Sequence, residues 1–217
     1  MIGPLLFLIY SNDLPCCTKH VKSIMFADDT TLVISGPNLA SLYDKMNEDL
    51  VAVSKWCNSN SLKINAQKCD YMIFNKKPHQ NQLNISIQGV AISRVNHFKY
   101  LGIIIDDRLL WKEHIIHICS KISQGLYGMR RVKHYVSKHI LVKLYYAFVH
   151  SHLSYGNSIW GNTFNKHLEP LIVLQKRQYE SFIMLPTMPT LNHSLPCQIF
   201  SQFKKSTICK SHKSCIN

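Results

Sequence analysis

Asp28 and Asp29 stand side by side between two runs rich in β-branched and aromatic residues, 21–27 and 30–35. Such runs favour extended strands, and a short polar break between them is the pattern of a β-hairpin. The acidic pair is thereby confined to a tight turn, which limits the architectures open to the chain. Two adjacent carboxylates repel, and in a partly buried place both stay ionised only beside a cation. Divalent metal is the natural choice. A rigid hairpin that fixes oxygen ligands suits two-metal phosphoryl or nucleotidyl transfer, where Mg2+ lowers the charge on the attacking and leaving oxygens. Acidic residues are also common in hairpin turns for local hydrogen-bonding reasons, so the pair alone leaves a structural reading open beside the catalytic one.

The pattern around the hairpin mixes helix and strand. Residues 5–10 read as the last turns of a buried helix that stops at Asn12-Asp13-Leu14-Pro15, because Pro15 cannot continue it. Over 39–56, apolar residues at helical spacing predict one amphipathic helix, with Ser41 and Asp44 placed as a capping box. Residues 62–64 and 71–74 read as strands, 85–87 with 91–95 as a hairpin through Gly89, and 98–105 as a strand interrupted by Gly102. After Asp107 the period becomes helical over 111–135, 139–150 and 167–184. These expectations add up to an α+β fold with a division near residue 108, a helical region over 109–185, and a basic, loosely ordered tail over 186–217.

Charge follows the same division. Residues 1–108 carry 11 Lys and Arg against 9 Asp and Glu, whereas residues 109–217 carry 14 against 3, so most of the net +13 lies in the second half. An excess of that size points to a polyanionic partner. Hydrophobic residues make up 46% of the chain, enough for a packed core and too many for a disordered protein. Eight scattered cysteines lack the regularity of a disulfide scaffold, which suits a reducing, intracellular setting. No apolar stretch is long enough to span a bilayer.

Five segments follow one another in a telling order: Gly3-Pro4-Leu5-Leu6-Phe7, Asn12-Asp13-Leu14-Pro15, Phe26-Ala27-Asp28-Asp29-Thr30, Leu62-Lys63-Ile64-Asn65 with Lys68, and Tyr100-Leu101-Gly102-Ile103. In this the chain resembles the reverse transcriptases of non-LTR retrotransposons, the jockey-like and other LINE-type elements. The likeness runs on through 109–115, Leu153-Ser154-Tyr155-Gly156, Trp160-Gly161 and Leu174-Gln175-Lys176-Arg177. It implies a partial palm over 1–108, with a small antiparallel sheet and helices, followed by a helical thumb over 109–185.

The resemblance also implies roles. Asp28 and Asp29 match the acidic pair that holds Mg2+ or Mn2+, and Phe26 stands where the family carries an aromatic residue. Gly3 and Pro4 resemble the end of the nucleotide and template pocket, Lys68 lies where a general acid for the pyrophosphate leaving group is placed, and Tyr100, Leu101 and Gly102 look like the primer grip. The thumb would hold the duplex through phosphates, using Arg130, Arg131, Lys133, Lys138 and Lys143. The implied partners are an RNA template, a DNA primer and deoxynucleotides.

Plainer readings stand beside these. Lys68 reads equally as a solvated turn lysine, Gly102 as a bulge, and the basic cluster, with His134 and His139, as a solvated helix face. Tyr145, Tyr146 and Phe148 read as core residues, with no site role. Cys197, Cys209, His212 and Cys215 could supply four zinc ligands, but their spacing matches no zinc motif, and a fortuitous grouping is the simpler reading. A non-enzymatic nucleic-acid-binding protein is the rival to a polymerase fragment. The family's first catalytic aspartate comes from a strand ahead of Gly3-Pro4, and Asp106 falls too late in the order to replace it. With two of three carboxylates, neutralisation and positioning both suffer. The isolated chain is therefore expected to add no nucleotide to an RNA-templated primer with Mg2+ or Mn2+; incorporation that disappears in Asp28→Ala would refute this.

Overall fold

The computed structural model describes residues 2–74 and 84–183, the side chains of 175–183 excepted. The tail over 186–217, with Cys197, Cys209, His212 and Cys215, lies outside the described residues, as do the side chains of Gln175, Lys176 and Arg177. Two units divide between Asn96 and His97.

The first unit opens with helix α1 (Gly3–Ser11), which carries Pro4 in its first turn, where a missing N–H costs nothing. A 3-10 turn over Leu14–Cys17 leads to strands β1 (Lys22–Phe26) and β2 (Asp29–Val33), paired antiparallel. Helix α2 (Leu39–Ser59) buries Tyr43, Leu50, Val53 and Cys57 at helical spacing. Its cap is Asn38, whose side-chain oxygen accepts the Ala40 N–H at 3.0 Å. The capping box expected at Ser41 and Asp44 is thus inside the helix, because Asn38, three residues before Ser41, already caps its first turn.

On α2 lie two apolar clusters. Leu14, Val53 and Cys57 gather Met25 and Leu32 from the hairpin, and Tyr43, Leu50, Ile85 and Ile87 gather Tyr71 and Ile92. The remaining strands are short: β3 (Asp70–Tyr71), β4 (Ser86–Ile87), β5 (Val90–Ala91) and β6 (Ser93–Arg94). The β4–β5 hairpin turns through Gln88 and Gly89, as the sequence suggests, but β3 pairs with β6 in parallel. Residues 62–64 form no strand; Leu62 and Ile64 serve instead as packing for the clusters. Among the described residues, four two-stranded pairings stand in place of one small antiparallel sheet.

Helix α1 is not buried. Its residues are apolar around the whole circumference, and Leu5, Leu6 and Ile9 remain 59, 57 and 66% exposed, with only Ser11 enclosed. A helix apolar on all sides is built to be covered on all sides, and the described first unit does not cover it.

The second unit begins with strands β7 (His97–Tyr100) and β8 (Ile103–Asp106). The single strand expected over 98–105 is this hairpin, because Leu101 and Gly102 both adopt left-handed φ, +46° and +83°, and reverse the chain. Helices α3 (Lys112–Val132), α4 (Lys138–Tyr145), α5 (Ser151–Ser154), α6 (Asn157–Trp160) and α7 (Asn165–Ile183) follow, with a π-helical segment over Tyr146–His150 joining α4 to α5. Ile115, Ile118, Ile122, Leu126 and Met129 of α3 form the core with Val149, Leu153, Trp160, Leu168 and Leu171. Each such side chain contributes about 1.5–3 kcal/mol. The hairpin belongs with the helices, since Ile103 is buried in this same core; the units consequently divide ahead of residue 108.

His114, 2% exposed in α3, accepts the Ile104 N–H at Nδ1 (3.2 Å), so its neutral ring carries its proton on Nε2. Burial first, and then the nearby His117, push its pKa from 6.5 down to about 4. A histidine held neutral in the folded state stabilises fully above its unfolded pKa and progressively less as pH falls toward the folded one. The second unit is therefore expected to lose about 3 kcal/mol between roughly pH 6.5 and 4, with His114→Met flattening that slope in urea unfolding followed against pH.

Candidate active site

The turn between β1 and β2 consists of Ala27 and Asp28, and Asp29 is already the first residue of β2, opposite Phe26. Ala27 takes a left-handed φ of +53°. A small residue there limits the steric cost of that conformation. The alternation of the pair then sorts its side chains. Met25 and Leu32 face α2, while Ile24, Phe26, Asp29 and Val33 share the opposite, open face. Phe26 is 60% exposed there, beside the Asp29 position.

Asp28 and Asp29 are both exposed. Water therefore screens their repulsion, and the expectation of a partly buried pair needing a cation does not hold. What remains is adjacency along the chain: one hard oxygen donor on the turn at Asp28 and a second at Asp29, the first residue of β2, on the open face. Among the described residues no three of His, Cys, Asp and Glu gather into a metal-binding group. Two carboxylates nonetheless suit Mg2+, which binds through one or two of them and completes its shell with water and substrate phosphates.

One buried carboxylate holds this hairpin in place. Asp49 of α2, 1% exposed, accepts backbone N–H groups from Lys19 (3.0 Å), His20 (2.7 Å) and Val21 (2.8 Å), the residues that lead into β1. Burial alone would raise its pKa, but those three donors outweigh it and hold the carboxyl below 3.8. The sequence offers no obvious sign of this role beyond an acid one position before Leu50 on the apolar side of α2. Glu48 adds surface pairs with Lys19 and His20.

The other anticipated residues fall in several places. Gly3 and Pro4 are exposed at the start of α1, and Lys68 is exposed at the end of a 3-10 turn over Ala66–Lys68. Tyr100, Leu101 and Gly102 form the tip of the β7–β8 hairpin in the second unit. Arg130 and Arg131 end α3, Lys138 and Lys143 lie on α4, and all four are exposed, while Lys133 is half-buried. The described ion pairs both fall on Glu48, so these cations carry no carboxylate partner among the described side chains. Arg131 lies 5.9 Å from the centre of the Tyr127 ring. Tyr146 and Phe148, expected in the core, are about half exposed (52 and 50%), because the π-helical segment buries Val149 in their stead. Asp106 caps the chain before α3, accepting the Leu110 and Trp111 N–H groups at 2.8 Å each.

Residues 1–105 match the family model of reverse transcriptase (RNA-dependent DNA polymerase), and the match contains the whole acidic hairpin. Together with the relatives, it supports reading the chain as a fragment of an RNA-directed DNA polymerase of the retrotransposon kind. The chain is 25% identical over 187 residues to the RNA-directed DNA polymerase from mobile element jockey of Drosophila melanogaster, covering 82% of this chain and 20% of that protein. It is 27% identical over 197 residues to "Probable RNA-directed DNA polymerase from transposon BS" of the same fly (86% and 22%). With the Pol polyprotein from type-1 retrotransposable element R1 of Bradysia coprophila it shares 27% over 168 residues (74% and 17%). The chain spans about a fifth of the length of the curated relatives it matches. No solved structure matches it. No helix among the described residues is long and apolar enough to cross a membrane.

Asp49→Ala is expected to cost about 3 kcal/mol in urea unfolding, because it leaves the buried Val21 N–H and the part-buried Lys19 and His20 N–H groups without their acceptor. The carboxylate's contribution is present above its unfolded pKa near 3.8 and is lost as pH falls through the lower folded value, so the mutant's deficit should shrink in acid.

Proposed function

We propose that the chain supplies the acidic hairpin, the primer-positioning hairpin and the duplex-holding helices of a polymerase that copies RNA into DNA. One observation carries this reading: Asp28 and Asp29 sit at the tip of a two-stranded hairpin with an open face, inside the stretch that matches the reverse transcriptase family. On this reading residues 1–96 and the β7–β8 hairpin are palm, and the helices from residue 112 onward are thumb.

Asp28 and Asp29 would hold the catalytic divalent cation, Mg2+ or Mn2+, which when bound would lower the charge on the attacking and leaving oxygens. Phe26, exposed beside Asp29, lines the place of the incoming deoxynucleotide, with Gly3 and Pro4 contributing to the pocket for nucleotide and template. Lys68, exposed on its turn, presents a proton to the pyrophosphate leaving group. Tyr100, Leu101 and Gly102 position the primer's 3′ end. Arg130, Arg131, Lys133, Lys138 and Lys143 neutralise phosphates of the template–primer duplex.

A second reading rests on the uncompensated charge of α3 and α4: a protein that binds RNA or DNA through those helices and uses the palm only as scaffold. One binding experiment separates the two. An RNA–DNA hybrid is titrated into the chain with and without Mg2+. Arg130→Glu with Arg131→Glu is expected to weaken binding and to lower the salt slope by about two, one per lost phosphate contact. Asp28→Asn with Asp29→Asn is expected to abolish whatever tightening Mg2+ gives. If Mg2+ has no effect on the unmutated chain and the Asp variants bind as it does, the binder reading replaces the polymerase one.

A further inference from the structure

The Leu101–Gly102 turn is held from outside its own hairpin. Leu101 is a non-glycine residue at φ +46°, a conformation that costs an L residue roughly 1–2 kcal/mol and persists only where the surroundings impose it. The two-residue connection between β7 and β8 itself calls for left-handed backbone at both positions, and Tyr155, in the loop between α5 and α6, adds a hold from outside the hairpin. Its hydroxyl donates to the Leu101 carbonyl at 2.6 Å. Its ring edge stands against Gly102, where an added Cβ would lie 3.4 Å from Tyr155 Cε1.

Tyr155 is itself fixed. The Trp160 indole N–H donates to the Tyr155 carbonyl at 2.9 Å, and Trp160 is 2% exposed, with its ring 5.7 Å from that of His114. His114 in turn accepts the Ile104 N–H, two residues beyond the turn. Gly156, at φ +61°, lies so close to Ile103 Cδ1 that a Cβ there would overlap it. Tyr155 and Gly156 thus grip the hairpin from the tip and from behind, and Trp160 ties that grip to the core.

We propose that Tyr155 is a positioning residue that sets the orientation of the Tyr100–Leu101–Gly102 turn, and through it the placement of a DNA primer's 3′ end. The proposal rests on the reading of that turn given above. Tyr155 touches neither nucleotide nor metal in this role; it acts through the Leu101 carbonyl. Over half of the tyrosine (55%) is exposed, so its conservation of shape in Tyr155→Phe leaves the core untouched while removing the one hydrogen bond.

Two readouts on the full chain test this. Amide hydrogen exchange without nucleic acid reports whether the hydroxyl holds the turn: in Tyr155→Phe, exchange at Gly102 and its neighbours is expected to quicken about fivefold, the loss of one net hydrogen bond, with α3 amides unchanged. Ultraviolet crosslinking then reports positioning. An RNA template annealed to a DNA primer with 5-iodouracil as its 3′-terminal base is expected to crosslink to residues 97–106 of the unmutated chain. In Tyr155→Phe, at saturating hybrid, that yield should fall severalfold while hybrid affinity stays the same. Unchanged exchange would show that the hydroxyl does not hold the turn. Faster exchange with an unchanged crosslink would show a purely structural clamp. Absence of the crosslink in the unmutated chain, despite hybrid binding, would remove the primer-positioning reading of the hairpin and the proposal with it.

Discussion

Three backbone N–H groups converge on the carboxylate of Asp49, and the geometry of the acidic hairpin depends on that convergence. An ionised carboxylate enclosed by protein is unfavourable unless its oxygens are fully engaged, and unpaired N–H groups in the same place are equally unfavourable. Each satisfies the other. The consequence is that Lys19, His20 and Val21 are held to α2, so β1 begins at a defined point and its alternation sends Met25 inward and Phe26 outward. Shifting the strand by one residue would reverse those faces and take Met25 away from the cluster that includes Val53 and Cys57.

The second unit uses a related device with a neutral group. His114 supplies an acceptor to Ile104 from inside the core, and burial keeps the ring uncharged so that it can. Asp106 performs the corresponding task at the start of α3 for Leu110 and Trp111. In both units, then, a side chain from one element satisfies backbone groups where another element begins or turns. Such bonds define where a strand starts or a turn points, a matter that apolar packing, being non-directional, leaves loose.

Much of this was legible in the residues, and the exceptions have physical causes. The α2 and α3 helices and the hairpin around Asp28 and Asp29 follow from periodicity, which is a local property of the chain. The 98–105 segment misled because a glycine inside a strand-like run marks a bulge as readily as a turn, and only the left-handed backbone at both Leu101 and Gly102 reveals a reversal; no residue preference announces a leucine in that conformation. Tyr146 and Phe148 looked like core because aromatic residues in a helical segment more often pack inward than serve a site. A π-helical segment shifts the register by a fraction of a turn and buries Val149 instead. The parallel pairing of β3 with β6 joins residues more than twenty positions apart, a separation at which strand propensity carries no information about partner or direction.

By itself the sequence determined the broad pattern: an acidic pair between two strand-forming runs, a fixed order of short motifs similar to that of reverse transcriptases, and a basic second half made of amphipathic helices. These are properties of residue type, spacing and charge, and they survive without knowledge of contacts. Only the tertiary structure decided that Asp28 and Asp29 are open to water, that Asp49 rather than a surface acid anchors their hairpin, that the described first unit leaves the apolar surface of α1 uncovered, and that Tyr155 holds a turn fifty-four residues earlier in the chain. Each of those depends on which distant groups meet, and a buried donor finds its acceptor in space, not along the chain.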